Sequence, residues 1–196
     1  MTEQSFSLVP FPAPNIPEIN IKGKISYQDN LVTLHYSLTG KIGDVFLSST
    51  SMSPKRKDDL WKTTCFEFFL AIKDLPQYWE FNLSPSGAWN VYCMAAYRRI
   101  GFREETLIQQ LEFEVQQEAR QFGLNATIDL DPLIPQGCTS QPLQVGITAV
   151  IQTKDGNQTY WALAHPAPSA DFHLRESFIL VMGTEIPLLR QSAPKD

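Results

Sequence analysis

Residues 78–99 read YWEFNLSPSGAWNVYCMAAYRR, and the period of this stretch decides the fold. Trp79, Phe81 and Leu83 alternate with Glu80, Asn82 and Ser84, so one parity is apolar and the other polar. Ser84-Pro85-Ser86-Gly87 then supplies turn chemistry, and Ala88–Ala95 reads as the returning strand. A hairpin needs only alternation and a turn. This one also carries two tryptophans, three tyrosines, two adjacent arginines, a carboxylate and an amide, groups that stack and hydrogen-bond.

The same period runs outward in both directions. Ile19–Tyr27, 31–38, Val45–Ser48, Thr64–Ile72, Gly123–Leu130, Leu143–Gln152, Thr159–Leu163 and Ser177–Val181 are strand candidates. Turn residues separate several of them, including Asp29-Asn30, Pro135-Gln136-Gly137 and Lys154-Asp155-Gly156-Asn157. Glu104–Arg120 has helix-forming composition, but Leu111, Phe113 and Val115 alternate with charged and amide residues, which favours strand over 110–118. Many short strands with almost no helix predict an all-β antiparallel β-sandwich of roughly ten strands. Prolines at 10, 12, 14 and 17 forbid helix and predict an extended arm over residues 1–16 that lies along the surface of the domain. The sandwich domain is expected over 17–182 and a tail over 183–196.

With 196 residues, 43% of them apolar and 19% charged, the chain can build one substantial core. A net charge of −5 with no basic cluster disfavours a nucleic-acid partner, since KRK at 55–57 runs at once into Asp58 and Asp59. No apolar window is long enough to span a membrane. The start, MTEQSFSLVPFPAP, lacks the basic and apolar regions of a signal peptide, and Cys65, Cys93 and Cys138 show no metal spacing. A cytoplasmic protein with three free thiols is expected. Cys65 and Cys93 fall on candidate neighbouring strands, so a bridge between them is geometrically conceivable.

Nucleophile-elbow, zinc-protease, phosphate-loop and dinucleotide motifs are all missing, so the chain does not read as an enzyme. His165 and His173 flank Asp171, which permits a metal site in principle, but loop and cap roles explain them as well, and no metal is assigned. Glu67 and Glu80 fall on adjacent strands and allow a weaker reading as a catalytic acid pair. The aromatic residues give a better lead. Cys65, Glu67 and Phe69 share one face of their strand, opposite Phe66, Phe68 and Leu70. If the Phe/Leu parity is inside, Glu67, Glu80 and Asn82 lie side by side on the other sheet face near Trp61. An indole that stacks on a sugar ring, beside acids and amides that bond its hydroxyls, is a carbohydrate platform. The plain alternative is that Trp61 and Trp89 close the ends of the core.

The run LWKTTCFEFFLAIKDLPQYWEFNLSPSGAWNVYCMAAYRR (60–99) and the later YWALAHPAPSADFHLRESFIL (160–180) resemble the DOMON-like superfamily, in a bacterial branch related to family 9 carbohydrate-binding modules. Two blocks carry the resemblance: Trp-x5-Glu-Phe followed by Tyr-x-Glu-Phe-Asn, and Trp-Ala-Leu-x-His…Asp-Phe-His. It implies a DOMON-type sandwich of immunoglobulin-like or jelly-roll kind, with a ligand pocket on one concave sheet. It also implies that Trp61 and Glu67 match the modules' first tryptophan and glutamate, that Asn82 is a polar strand partner, and that Trp161 is the second tryptophan. Arg98 and His173 are expected at the rim, although Arg98 could equally pair with a surface acid.

The expected function is a non-catalytic binding domain for a carbohydrate or related small polar ligand (a sugar, a sugar nucleotide or a cell-wall precursor), without a cofactor. The alternative implied by the resemblance is a haem- or metal-binding domain, with Met52, Met94, His35, His165 and His173 as candidates.

Overall fold

A computed structural model describes residues 2–49, 55–98, 102–135, 138 and 141–183. Met52 and most of the expected tail over 183–196 lie outside the described residues. The strands in chain order begin with β1 (Thr2–Ser7), β2 (Val9–Pro10), β3 (Ile19–Gln28), β4 (Leu31–Gly40), β5 (Lys55–Arg56), β6 (Cys65–Ile72) and β7 (Tyr78–Leu83). They continue with β8 (Ala88–Met94), β9 (Arg103–Glu104), β10 (Glu112–Gln117), β11 (Gln121–Asp129), β12 (Leu143–Gln152), β13 (Gln158–Ala162) and β14 (Leu180–Met182). Two sheets form, in the orders β1-β3-β4-β11-β10 and β2-β13-β12-β6-β7-β8-β5, with β14 beside β12 and β9 beside β8. The pairing is antiparallel except for the short β5–β8 contact. This is an antiparallel β-sandwich.

The core follows from alternation. Val32, Leu34, Tyr36 and Leu38 of β4 point inward, and so do Phe122, Leu124, Ala126 and Ile128 of β11. Phe66, Phe68 and Leu70 of β6 meet them from the second sheet, together with Trp79, Phe81 and Leu83 of β7. Phe66 stacks on Phe122 with ring centroids 5.2 Å apart, and Tyr36 leans on Phe66 at 5.0 Å. Each such side chain contributes about 1.5–3 kcal/mol through burial. The Tyr36 hydroxyl crosses the core and donates to the backbone carbonyl of Glu67 at 2.6 Å, which ties one sheet to the other.

In β6, β7 and β8 every residue is buried, on both parities. An antiparallel strand with one wet face would alternate. Here the outer face is covered by the loop that follows β13. Phe178 of that loop packs so closely on β12 that a Cβ on Gly146 would lie 2.8 Å from its ring, so only glycine fits there. The turn between β7 and β8 closes with Gly87 N–H donating to the Ser84 carbonyl at 3.0 Å, and Gly87 takes φ +86.

Three expectations are corrected. The proline-rich arm does not merely lie along the surface: β1 pairs with β3, the chain crosses between sheets at buried Leu8, and β2 pairs with β13. Pro10 is tolerated because β2 is an outermost strand of its sheet. Val45–Ser48 is not a strand, since Val45 makes only an isolated bridge to Thr153. Cys65 and Cys93 do not lie on neighbouring strands. β7 runs between β6 and β8, and the two residues have opposite facing, Cys93 toward the core and Cys65 toward the outer face.

Candidate functional site

The outward parity of the second sheet assembles a polar row across four adjacent strands. Thr148 of β12 sits opposite Glu67 of β6, Glu67 opposite Asn82 of β7, and Asn82 opposite Asn90 of β8. The next row brings Phe69, Glu80 and Tyr92 side by side. Above these rows lies a cleft of about 410 Å³ with Glu67 and Glu80 among its lining residues. Trp61, Tyr92, Phe102, Tyr160 and Phe172 form its aromatic walls. Trp61 meets Tyr92 edge-on at 5.6 Å, Phe102 meets Tyr92 at 5.3 Å, and Tyr160 meets Phe172 at 6.0 Å.

The polar row is held by a chain of hydrogen bonds. The Asn82 amide donates to Glu80 Oε1 at 2.8 Å and accepts from the Cys65 thiol at 3.4 Å. Thr148 Oγ1 donates to Glu67 Oε2 at 3.3 Å. Glu67 Oε1, in contrast, is buried with no hydrogen-bond partner among the described residues. Glu67 is only 2% exposed and Glu80 7%. Burial pushes the Glu67 carboxyl well above the usual carboxylate range, and the charge of Glu80 pushes it further. Burial also raises Glu80, to about 7, against the opposing bond from Asn82. Each carboxyl disfavours ionisation of the other.

His173 hangs over this pair. Its Nδ1 is 2.9 Å from the Tyr78 hydroxyl and its Nε2 is 4.0 Å from Glu80 Oε2. Burial, reinforced by Arg98, lowers its pKa to about 4, so the ring is neutral at pH 7 and offers the acids no compensating charge. Arg98 is engaged elsewhere, 2.9 Å from Asp171. Burial opposes the charge on Asp171, yet hydrogen bonds from Tyr97, the His173 amide and Arg98 outweigh it and hold the carboxyl below its usual range.

Of the residues expected in the site, Trp61, Glu67, Arg98 and His173 line one cleft. Asn82 lies beneath it, fully buried, and acts on the cleft through Glu80. Trp161 is corrected outright: it faces the core opposite Ala149, 3% exposed, with its indole N–H bonded to Thr159 Oγ1 at 3.0 Å. Its neighbour Tyr160 has the outward parity and lines the cleft. Trp89 is also a core residue, stacked under the Arg56 guanidinium at 4.4 Å. Phe102, Tyr160 and Phe172 were not picked out as site residues by sequence reasoning. None of the three had a signal in the sequence, since Tyr160 and Trp161 are adjacent aromatics of opposite parity and only the strand register decides which faces outward.

Haem does not fit these residues. Met94 and His173 both line the cleft, but His173 Nε2 faces the Glu80 carboxyl and two buried acids occupy the floor, where a porphyrin needs an apolar slot. His35 and His165 lie elsewhere, the first against Asn125 and the second against the Val9 carbonyl. Among the described residues no group of three or more His, Cys, Asp or Glu is placed to hold a metal ion.

No protein-family model matches the chain, and no curated protein sequence matches it. Solved structures do. A protein from Bacteroides uniformis, named for an inferred carbohydrate-binding role, superposes with a TM-score of 0.60 at 12% identity, over 88% of this chain and 84% of that one. A family 9 carbohydrate-binding module from Caldicellulosiruptor kristjanssonii, solved with cellotriose, gives a TM-score of 0.48 at 12% identity over 79% and 70%. At such identity the first likeness shows a shared fold.

Proposed function

We propose that the chain is a non-catalytic binding domain for a carbohydrate or a related small polar ligand, held in the cleft on the outer face of the nine-stranded sheet. One observation carries the reading: a partly open aromatic cleft is lined by Glu67 and Glu80, and one oxygen of the buried Glu67 carboxyl has no hydrogen-bond partner among the described residues. Leaving such an oxygen unpaired costs about 1–3 kcal/mol, a cost that a ligand hydroxyl or amine would remove. The volume of about 410 Å³ suits a ligand of one or two sugar rings. Trp61 and Tyr160 offer faces for ring stacking, and Glu67 accepts hydrogen bonds. The Bacteroides protein with the same fold, and its inferred role, supports the reading.

Titration of the protein with a panel of mono- and disaccharides, followed by tryptophan fluorescence and calorimetry, tests it. Trp61→Ala should weaken any binding sugar by about tenfold or more, since stacking contributes on the order of 1 kcal/mol beyond area burial. Equal affinity in Trp61→Ala would remove the cleft from consideration.

A further inference from the structure

We infer that the cleft seats a protonated amino group, such as that of an amino sugar, against Glu67 and Glu80, and so prefers cationic ligands to neutral sugars. The inference rests on the ligand-binding reading of the cleft and names the class of ligand.

Charge accounting leads there. Two carboxyls lie together in the floor, both nine-tenths buried or more. The cations nearby are already engaged, Arg98 with Asp171 at 2.9 Å and Lys62 with Asp59 at 2.6 Å. The remaining titratable groups against the pair are Cys65, Tyr78, Tyr92 and His173, and none carries a positive charge at pH 7. A neutral hydroxyl would satisfy Glu67 Oε1 but would leave the desolvated carboxyls holding their protons, whereas a cation gives both acids a paired charge to ionise against. An ammonium supplies both charge and donors. The aromatic walls suit it as well, because ring faces attract cations.

Seating an ammonium also requires the carboxyls to ionise. Burial raises both of them, so binding near neutral pH should release protons to the buffer. Affinity for the amine should rise from pH 5 toward pH 7.5 and fall only when the ligand loses its own proton.

The test is calorimetry at pH 5 and 7.5 with cellobiose, the corresponding glucosamine disaccharide, its N-acetylated form and cyclohexylamine. In the expected result the glucosamine disaccharide binds about tenfold or more tighter than cellobiose at pH 7.5, as for a hydrogen bond to a charged group. Its N-acetylated form follows cellobiose. Its apparent enthalpy varies with the ionisation heat of the buffer. Glu80→Gln and Glu67→Gln should each reduce the preference to a few-fold. If one variant fails to fold, the other and the wild-type ratio still decide. Equal or tighter binding of cellobiose overturns the ammonium seat and leaves the carbohydrate reading intact. Cyclohexylamine binding as tightly as the glucosamine disaccharide keeps the seat and overturns the carbohydrate reading. No binding by any of the four overturns both.

Discussion

Replacing Glu80 by Gln should stabilise the protein at pH 8 by about 2–3 kcal/mol and leave it nearly unchanged at pH 5. Glu80 is 7% exposed, so solvent does little to screen its charge. Its carboxyl titrates at about 7 in the fold instead of the ordinary 4.5, with burial as the cause. That difference corresponds to roughly 3 kcal/mol. The folded state holds this proton more tightly than the unfolded chain does. The group's contribution is therefore fully present below 4.5 and is lost as pH rises through about 7. Glutamine never ionises, so the variant escapes the loss. It still accepts from Asn82 through Oε1, a contact of 2.8 Å in the wild type. The charge-assisted part of that bond is already contained in the shift, which it opposes. Urea unfolding at pH 5, 6, 7 and 8, followed by tryptophan fluorescence, reads the difference directly. A wild-type to variant gap that stays constant with pH, or is widest at pH 5, would refute the reasoning.

His173 should show the opposite slope. Its pKa falls from 6.5 to about 4 on folding, so its contribution is present above 6.5 and lost as pH drops toward 4. The two trends oppose each other, and Glu67, raised by the same burial, adds to the Glu80 slope, so wild-type stability should decline only gently between about pH 4.5 and 6.5. His173→Gln should expose the Glu80 slope, a steady decline in urea midpoint across that window, and a flat profile in the variant would contradict it. Trp161→Ala should cost about 3–5 kcal/mol of stability, as expected for a buried aromatic, with ligand affinity unchanged in the protein that remains folded. A selective loss of binding with a normal urea midpoint would return Trp161 to the site.

The sandwich was legible because parity is a local property. Phe66, Phe68, Leu70 and Trp79, Phe81, Leu83 mark the inside of two adjacent strands, and their neighbours Glu67, Glu80 and Asn82 fall outward without further information. The same rule gave no answer at Tyr160-Trp161, where two aromatics occupy opposite parities. What settles it is the partner strand: Trp161 stands opposite Ala149, which leaves room for an indole in the core, and sequence does not reveal that pairing. The cover of the site was less legible still. Phe172, His173 and Phe178 lie in a loop without period, and their places are fixed by contacts such as Phe178 on Gly146. Proline concealed β2 because it argues against a strand except at an edge, which is where Pro10 sits, and β1, with Phe6 as its one large apolar residue, shows no period-two pattern.

The chain near its start belongs to both sheets, and this bears on how the molecule is made. Val9 and Pro10 pair with Ala162 and Trp161, residues that a ribosome working at about 5–20 residues per second adds roughly 8–30 s later. During that interval β1 can find β3, but Leu8 and β2 have no second sheet to join. Closure therefore waits until β13 has been made, and it involves contacts of very high sequence separation, which slow folding. A nascent chain that waits so long with apolar strand edges uncovered is a natural client for holding chaperones, and aggregation during synthesis is the hazard that this topology accepts.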